Sequence, residues 1–214
     1  TEEHIYSMLK DMEEGTDRVI AIIKDLLKFS RPVTKEDEKL YNLNKGLETS
    51  LMMMGNQLKY IARIEKNLGD IPNVEARENE INQVIINLIS NASHAMKLRK
   101  EKEGEIYTPA LSISTWDDPV SVFCEIENNG LPIPQKDLSS IFMPFFTTKK
   151  SSEGTGLGLT IVKEIIEGRY NGSIRAETGT KTRFIFQIPI KNQNRKPAQE
   201  KEQDIALYKR RKDD

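Results

Sequence analysis

Over the first thirty positions, apolar residues recur every seven: Ile5, Met12, Val19 and Leu26, with Met8/Leu9, Thr16, Ile22/Ile23 and Phe29 on the alternate seam. This heptad spacing predicts a helix over residues 1–30 that packs against another helix. The flanks are charged (Asp11, Glu13, Asp17, Lys24, Lys28), so the seam is narrow and needs a partner helix, from this chain or another. Arg31-Pro32 ends the pattern, because proline disfavours helix at the residue before it. Residues 33–41 are charged and read as a linker. Asn44 is the expected N-cap of a second helix reaching Leu58, with Leu47, Leu51, Met54 and Leu58 on one face.

Further along, the period alternates between two and 3.6. Residues 60–68 read as a strand, Asp70-Ile-Pro-Asn73 as a turn and Val74-Glu-Ala76 as a short edge strand. An unbroken helical pattern follows from Glu80 through Glu103, closed by Gly104. Leu111-Ser-Ile-Ser-Thr115 and residues 120–127 form a hairpin pattern across Asp117-Asp118-Pro119. Residues 135–142 suit a short helix. A helix begins at Leu157 and ends by Gly172, followed by strands from Ser173 and Thr182 joined at a Gly179 turn. Beyond Pro189 the chain turns polar, with disorder expected over 192–203 and a short basic helix over 204–212. Interleaved helices and paired strands imply an α+β class, a sandwich with helices on one face of a mixed sheet.

Composition narrows the function classes. Of 214 residues 37% are hydrophobic, which suits one core with polar extensions, and 32 basic against 33 acidic residues give no case for a nucleic-acid partner. No run of about 18 apolar residues exists, so no membrane contact is expected of this stretch. The sequence starts at Thr1 without a leader pattern; the expectation is a cytoplasmic piece of a longer chain, whose membrane anchor, if present, lies upstream. Cys124 stands alone in an apolar strand, which excludes an internal disulfide, suggests a core residue and fits a reducing compartment.

Three loops and one helix carry candidate chemistry. Asn87 and Asn91 are four residues apart and share a helix face, beside an apolar face of Val84, Leu88, Ala92 and Ala95. Either the two amides are bonded within the fold, or their hard oxygens serve a cation such as Mg2+ that shares ligands with a phosphate. Gly154-Thr-Gly-Leu-Gly-Leu159 opens a helix, where glycines admit a phosphate to the backbone and free N–H groups favour an anion. It lacks the preceding strand of a dinucleotide fingerprint and the Gly-Lys-Ser/Thr of a P-loop. Asn128-Asn-Gly-Leu-Pro-Ile133 ends a strand with a polar side chain able to meet a heterocycle edge. Phe142, Phe145 and Phe146 precede Thr147, Thr148 and Lys149, which bring hydroxyls and a cation. The segment 135–153 between the glycine motifs has the character of a ligand lid.

In this order, Asn87-x-x-x-Asn91, Asn128-Asn-Gly-x-x-Ile133, Met143-Pro-Phe-Phe-Thr-Thr-Lys149 and Gly154-Thr-Gly-Leu-Gly-Leu159 resemble the N, first glycine, F and second glycine boxes of two-component sensor histidine kinases. The resemblance covers residues 41–190 and implies the Bergerat ATP-binding fold. The helix over 1–30 resembles the second helix of the dimerisation and phosphotransfer hairpin. The implied organisation is a dimerisation helix at 1–32, a linker at 33–42, a catalytic domain at 43–191 and a charged tail at 192–214. The implied activity is γ-phosphoryl transfer from Mg-ATP to a histidine outside this stretch, then to a response-regulator receiver domain. The implied assembly is a homodimer through 1–30 and an upstream helix.

The resemblance also implies roles. Asn91 would coordinate Mg2+ with Asn87 assisting, and Asn128 would face the adenine amine. Gly130 and Ile133 would line the base pocket, and Thr182 would join the water network near the adenine. Lys149 and the amides of 156–159 would hold phosphates. His94, Ala95, Phe142, Thr147, Thr148, Gly154, Thr155, Gly156, Leu157, Gly158 and Leu159 would complete the ATP site. His94 stands where many members carry a phosphate-contacting Lys.

The departures are specific. Asn128 replaces an Asp, so its bond to an adenine amine becomes neutral, at a cost of about 1 kcal/mol. Pro132 replaces the second glycine of its box. His4 lacks the acidic residue and proline that follow a phosphoacceptor. Asn87 stands where the related ATPases carry a water-activating Glu, and an amide cannot act as a base. The alternative function is a degenerate or nucleotide-sensing ATP-binding module without phosphotransfer.

Overall fold

The computed structural model describes residues 2–29, 39–58, 62–149 and 154–191. The expected helix stop at Arg31-Pro32, the start of the strand at 60, the last part of the lid and the tail beyond 191 lie outside the described residues.

Helix α1 (Glu2–Phe29) forms as the heptads predict. Its seam residues Ile5, Met8, Leu9, Met12 and Val19 are each more than half exposed, so the apolar stripe is uncovered over these positions. No described helix is long and apolar enough to cross a membrane.

The linker expected at 33–42 ends in structure. Strand β1 (Lys39–Tyr41) pairs antiparallel with β3 (Val74–Ala76), because Tyr41 is buried and its hydroxyl donates to Asn82 Oδ1 at 2.7 Å. Helix α2 (Leu43–Met53) starts two residues earlier than expected. Its N-cap is Asn42, whose Oδ1 accepts from the Lys45 N–H at 2.8 Å. Asn44 instead ties α2 to the sheet, donating to Gly69 O just after β2 and accepting from the Thr115 hydroxyl of β4, both at 2.8 Å. A separate short turn, α3 (Gly55–Leu58), completes this arm and buries Leu58.

The main sheet holds β2 (Arg63–Leu68), β4 (Ala110–Asp117), β5 (Ser121–Asn128), β6 (Ser173–Thr178) and β7 (Thr182–Pro189) in the order β2-β4-β5-β7-β6. Only β2 and β4 run parallel; the other pairs are antiparallel, so the sheet is mixed as expected. Alternation assigns the faces. Leu111, Ile113, Ile126 and Phe186 are fully buried against the helices, and each such side chain contributes about 1.5–3 kcal/mol. Cys124 is buried in the same layer, where desolvation pushes its thiol up. The outer face is polar: Glu127 accepts from Lys181 at 2.6 Å and pairs with Arg183 at 3.2 Å.

Helix α4 (Glu78–Glu103) is continuous, and Ile81, Val84, Ile85, Leu88, Ile89, Ala92 and Met96 pack its inner side against the sheet. Helix α5 (Gly158–Lys163) departs from the regular helix expected up to Gly172: it widens into a π-helical turn at Glu164–Arg169. There the Tyr170 N–H reaches back five residues to Ile165 O at 3.2 Å. The wider turn brings Arg169 and Tyr170 to α4. Buried Glu80 accepts from the Tyr170 hydroxyl at 2.7 Å, from Arg77 Nη1 at 3.1 Å and from Arg169 Nη1.

Candidate nucleotide site

A cavity of about 690 Å³ opens between α4, the ends of β5 and β7, and the stretches 131–149 and 154–159. That size suits a drug-sized or nucleotide-sized ligand. Helix α4 contributes Asn87, Asn91, His94 and Ala95, one face of an unbroken helix. The strands contribute Asn128 and Thr182, which are partners across β5 and β7. The loops contribute Ile133, Thr147, Thr148, Lys149, Gly154, Thr155 and Gly156, and the start of α5 contributes Gly158 and Leu159. Four stretches separated by up to about a hundred residues therefore meet around one space.

The two ends of the cavity differ chemically. At one, Lys149 Nζ donates to Asn91 Oδ1 at 3.1 Å, and Asn87 Nδ2 donates to Gly158 O at 3.1 Å. The amide pair of α4 is thus tied to the lysine of one loop and the glycines of the other. At the other end, Asn128 and Thr182 are 2% exposed, with Ala95, Ile133 and Phe184 as apolar neighbours on the wall. Asn128 Oδ1 accepts from the Gly130 N–H at 2.9 Å, and Nδ2 donates to Thr182 O at 3.4 Å. The buried Thr182 hydroxyl has no hydrogen-bond partner. A buried orphan of this kind calls for an account, and a ligand or water supplies one.

Three expected residues do not line the cavity. Gly130 lies against α4: a Cβ there would come within 2.5 Å of the Ala95 carbonyl carbon, and the neighbouring Leu131 N–H bonds Ala95 O at 3.0 Å. Its glycine is needed for this close contact with α4. Phe142 packs partly buried on the core while its carbonyl accepts from the Thr160 hydroxyl at 3.3 Å; Phe146 takes the cavity position instead. Leu157 is buried, and its N–H reaches Thr155 Oγ1 at 3.3 Å. Gly156 does require its residue type: φ is 72°, and a Cβ would fall 2.4 Å from the Phe145 carbonyl carbon. Phe145 itself adopts φ 65°, so the two loops meet with left-handed backbone on both sides.

The cavity also uses residues the motif reading passed over. Leu98 continues the α4 face one turn past His94, and Phe184 continues the inner face of β7 two residues past Thr182. Both were reachable by extending the periods. Asp137 and Ile141 were not reachable this way: the short helix expected over 135–142 is only a 3-10 turn at Gln135–Asp137 followed by further turns, so no helical period sorts its faces.

Residues 76–192 match the family of histidine kinase-, DNA gyrase B- and HSP90-like ATPases, more than half of the chain. The chain belongs to this family. Within it, the four boxes are those of a histidine kinase catalytic domain. Sensor histidine kinase WalK of Bacillus subtilis is 30% identical over 195 residues, covering 85% of this chain and 30% of WalK. The solved catalytic domain of histidine kinase ThkA is 33% identical with a TM-score of 0.59, covering 71% of this chain and 97% of that one. ThkA in complex with the response regulator TrrA gives a TM-score of 0.64 at 28% identity, covering 85% of this chain and 50% of that one. The chain spans 25% to 30% of the length of the first curated relatives it matches.

Proposed function

We propose that this chain binds Mg-ATP in the cavity and passes the γ-phosphoryl to a histidine outside these 214 residues. A response-regulator receiver aspartate then takes it, as the solved pairing of ThkA with TrrA suggests. The observation that carries the reading is the convergence of Asn91, Lys149 and the 154–158 glycine loop at one end of a cavity whose other end is walled by buried Asn128 and Thr182.

The residues fit a magnesium ion that arrives with its nucleotide. Asn91 Oδ1 already holds one cation, the Lys149 ammonium, and Asn87 Oδ1 carries no hydrogen bond among the described residues. No cluster of three His, Cys, Asp or Glu side chains able to hold a metal exists among the described residues, so phosphate and water would complete the shell. When bound, Mg2+ neutralises phosphate charge during transfer. Asn91 and Asn87 would orient the ion, and Lys149 would move from Asn91 to the phosphates. Asn128 and Thr182 would fix the base, and the loop amides would hold the phosphate oxygens in line with the incoming imidazole. An imidazole is already a nucleophile, so no strong base is required of the chain.

The uncovered heptad stripe of α1 supports homodimerisation through 1–30 with a second helix. A second reading, a nucleotide-sensing module, draws on Asn128 and Pro132. Calorimetric titration of the chain with ATP, with and without Mg2+, tests the first step; no binding at millimolar ATP would sink both readings. Supplying a histidine-bearing helical hairpin and measuring acid-labile phosphate separates them: binding without transfer favours the sensing module.

A further inference from the structure

The buried end of the cavity presents an amide, and an amide both donates and accepts. Asn128 Oδ1 spends one acceptor site on the Gly130 N–H at 2.9 Å, and Nδ2 spends one hydrogen on Thr182 O at 3.4 Å. Each atom keeps one capacity, a lone pair on Oδ1 and a hydrogen on Nδ2. The two bonds also fix the amide's orientation, because turning it over would set an NH2 against the buried Gly130 N–H. Directly across the strand pair, Thr182 adds an orphan hydroxyl that turns to donate or accept. Neighbouring Glu127 faces the outer side of the sheet, bound by Lys181 and Arg183. Asp137, a carboxylate on the cavity wall, belongs to the turn Gln135–Asp137 and not to β5 or β7.

We propose that this cavity accepts 6-oxopurine nucleoside triphosphates as well as 6-aminopurine ones, an inference that rests on its reading as a nucleotide site. A 6-amino group donates to Asn128 Oδ1, and a 6-oxo group accepts from Asn128 Nδ2, with only a lateral shift of the base. The ring nitrogen beside it is a lone pair in adenine and an N–H in hypoxanthine. The Thr182 hydroxyl answers either by rotating. A carboxylate at position 128 would offer lone pairs alone and would set oxygen against a 6-oxo group. Discrimination at a polar site comes from such unmatched groups.

The test is calorimetric titration of the whole chain with ATP and with inosine triphosphate, which lacks guanine's extra amine and isolates position 6. The expected result is an inosine triphosphate affinity within about tenfold of that for ATP, the span of one neutral hydrogen bond. In Asn128→Asp the ratio widens by at least about tenfold, as a donor is replaced by a second acceptor. Inosine triphosphate weaker than that in the natural chain, or an unchanged ratio in Asn128→Asp, overturns the inference. The first arm needs no substitution, so it decides even where Asn128→Asp does not fold. ATP bound and inosine triphosphate rejected removes this inference alone; neither bound removes the nucleotide reading with it.

Discussion

Lys149 Nζ sits 3.1 Å from Asn91 Oδ1, joining two residues 58 positions apart in the chain. The amide oxygen proposed for magnesium is thus occupied by a cation of the chain itself, one that a triphosphate would draw away. Asn91→Ala removes the hard oxygen and is expected to weaken Mg-ATP binding by at least about a hundredfold, a loss of about 3 kcal/mol. Asn87→Ala is expected to weaken it less. Titration with and without Mg2+ reads both, and unchanged affinity in Asn91→Ala would refute the assigned role of this helix face.

Lys149→Gln keeps a polar stem but loses the charge. ATP affinity should fall about tenfold, while folding stability changes by under about 1 kcal/mol, because the bond from Lys149 to Asn91 lies at a part-buried site near the cavity mouth and outside the apolar core. Urea unfolding beside calorimetry checks the split.

Gly130→Ala and Gly156→Ala should fail differently. A methyl at 130 would meet the α4 backbone at Ala95 and Met96, which cannot move without opening the core. A destabilisation of about 3 kcal/mol or more is expected from such overpacking. A methyl at 156 would meet the Phe145 backbone at a positive φ, so Gly156→Ala should also lose stability, by about 1–3 kcal/mol, but within two cavity loops, and in the folded fraction it should lose nucleotide affinity, which Gly130→Ala should keep. Unfolding midpoints and ATP titration of both variants distinguish these outcomes.

Thr182→Val removes a buried hydroxyl that has no partner in the ligand-free chain. Ligand-free stability should hold or rise by about 1 kcal/mol, while ATP affinity falls, since the hydroxyl pairs only when the base is present. A fall in ligand-free stability would show that the hydroxyl serves the fold instead.

Glu80→Ala should separate fold from site. Its carboxylate takes hydrogen bonds from Arg77, Arg169 and Tyr170, and removing it breaks a largely buried ion-pair network, at a cost of about 3–5 kcal/mol. Nucleotide affinity of the folded fraction should be unchanged, because Glu80 lies two helical turns before Asn87 on α4.

The sequence by itself determined the parts whose signal is local. Heptads made α1 helical, alternation made β4 and β5, and four ordered boxes named the family and the residues around its cavity. Each depends on backbone periodicity or on the chemistry of a short motif, and neither needs distant contacts. Tertiary packing alone decided the rest. Asn42 and not Asn44 caps α2, because Asn44 has partners at Gly69 and Thr115. Phe146 and not Phe142 lines the cavity, because an irregular loop has no period to divide its aromatics between core and cavity. The π-turn before Tyr170 exists where Glu80, ninety residues earlier, accepts that hydroxyl. Gly130 looked like a ligand residue and is a helix contact, a distinction set by a backbone that approaches from 35 residues away. Short-range pattern fixes which residues can do chemistry; which atoms they meet depends on partners that only the packed chain brings together.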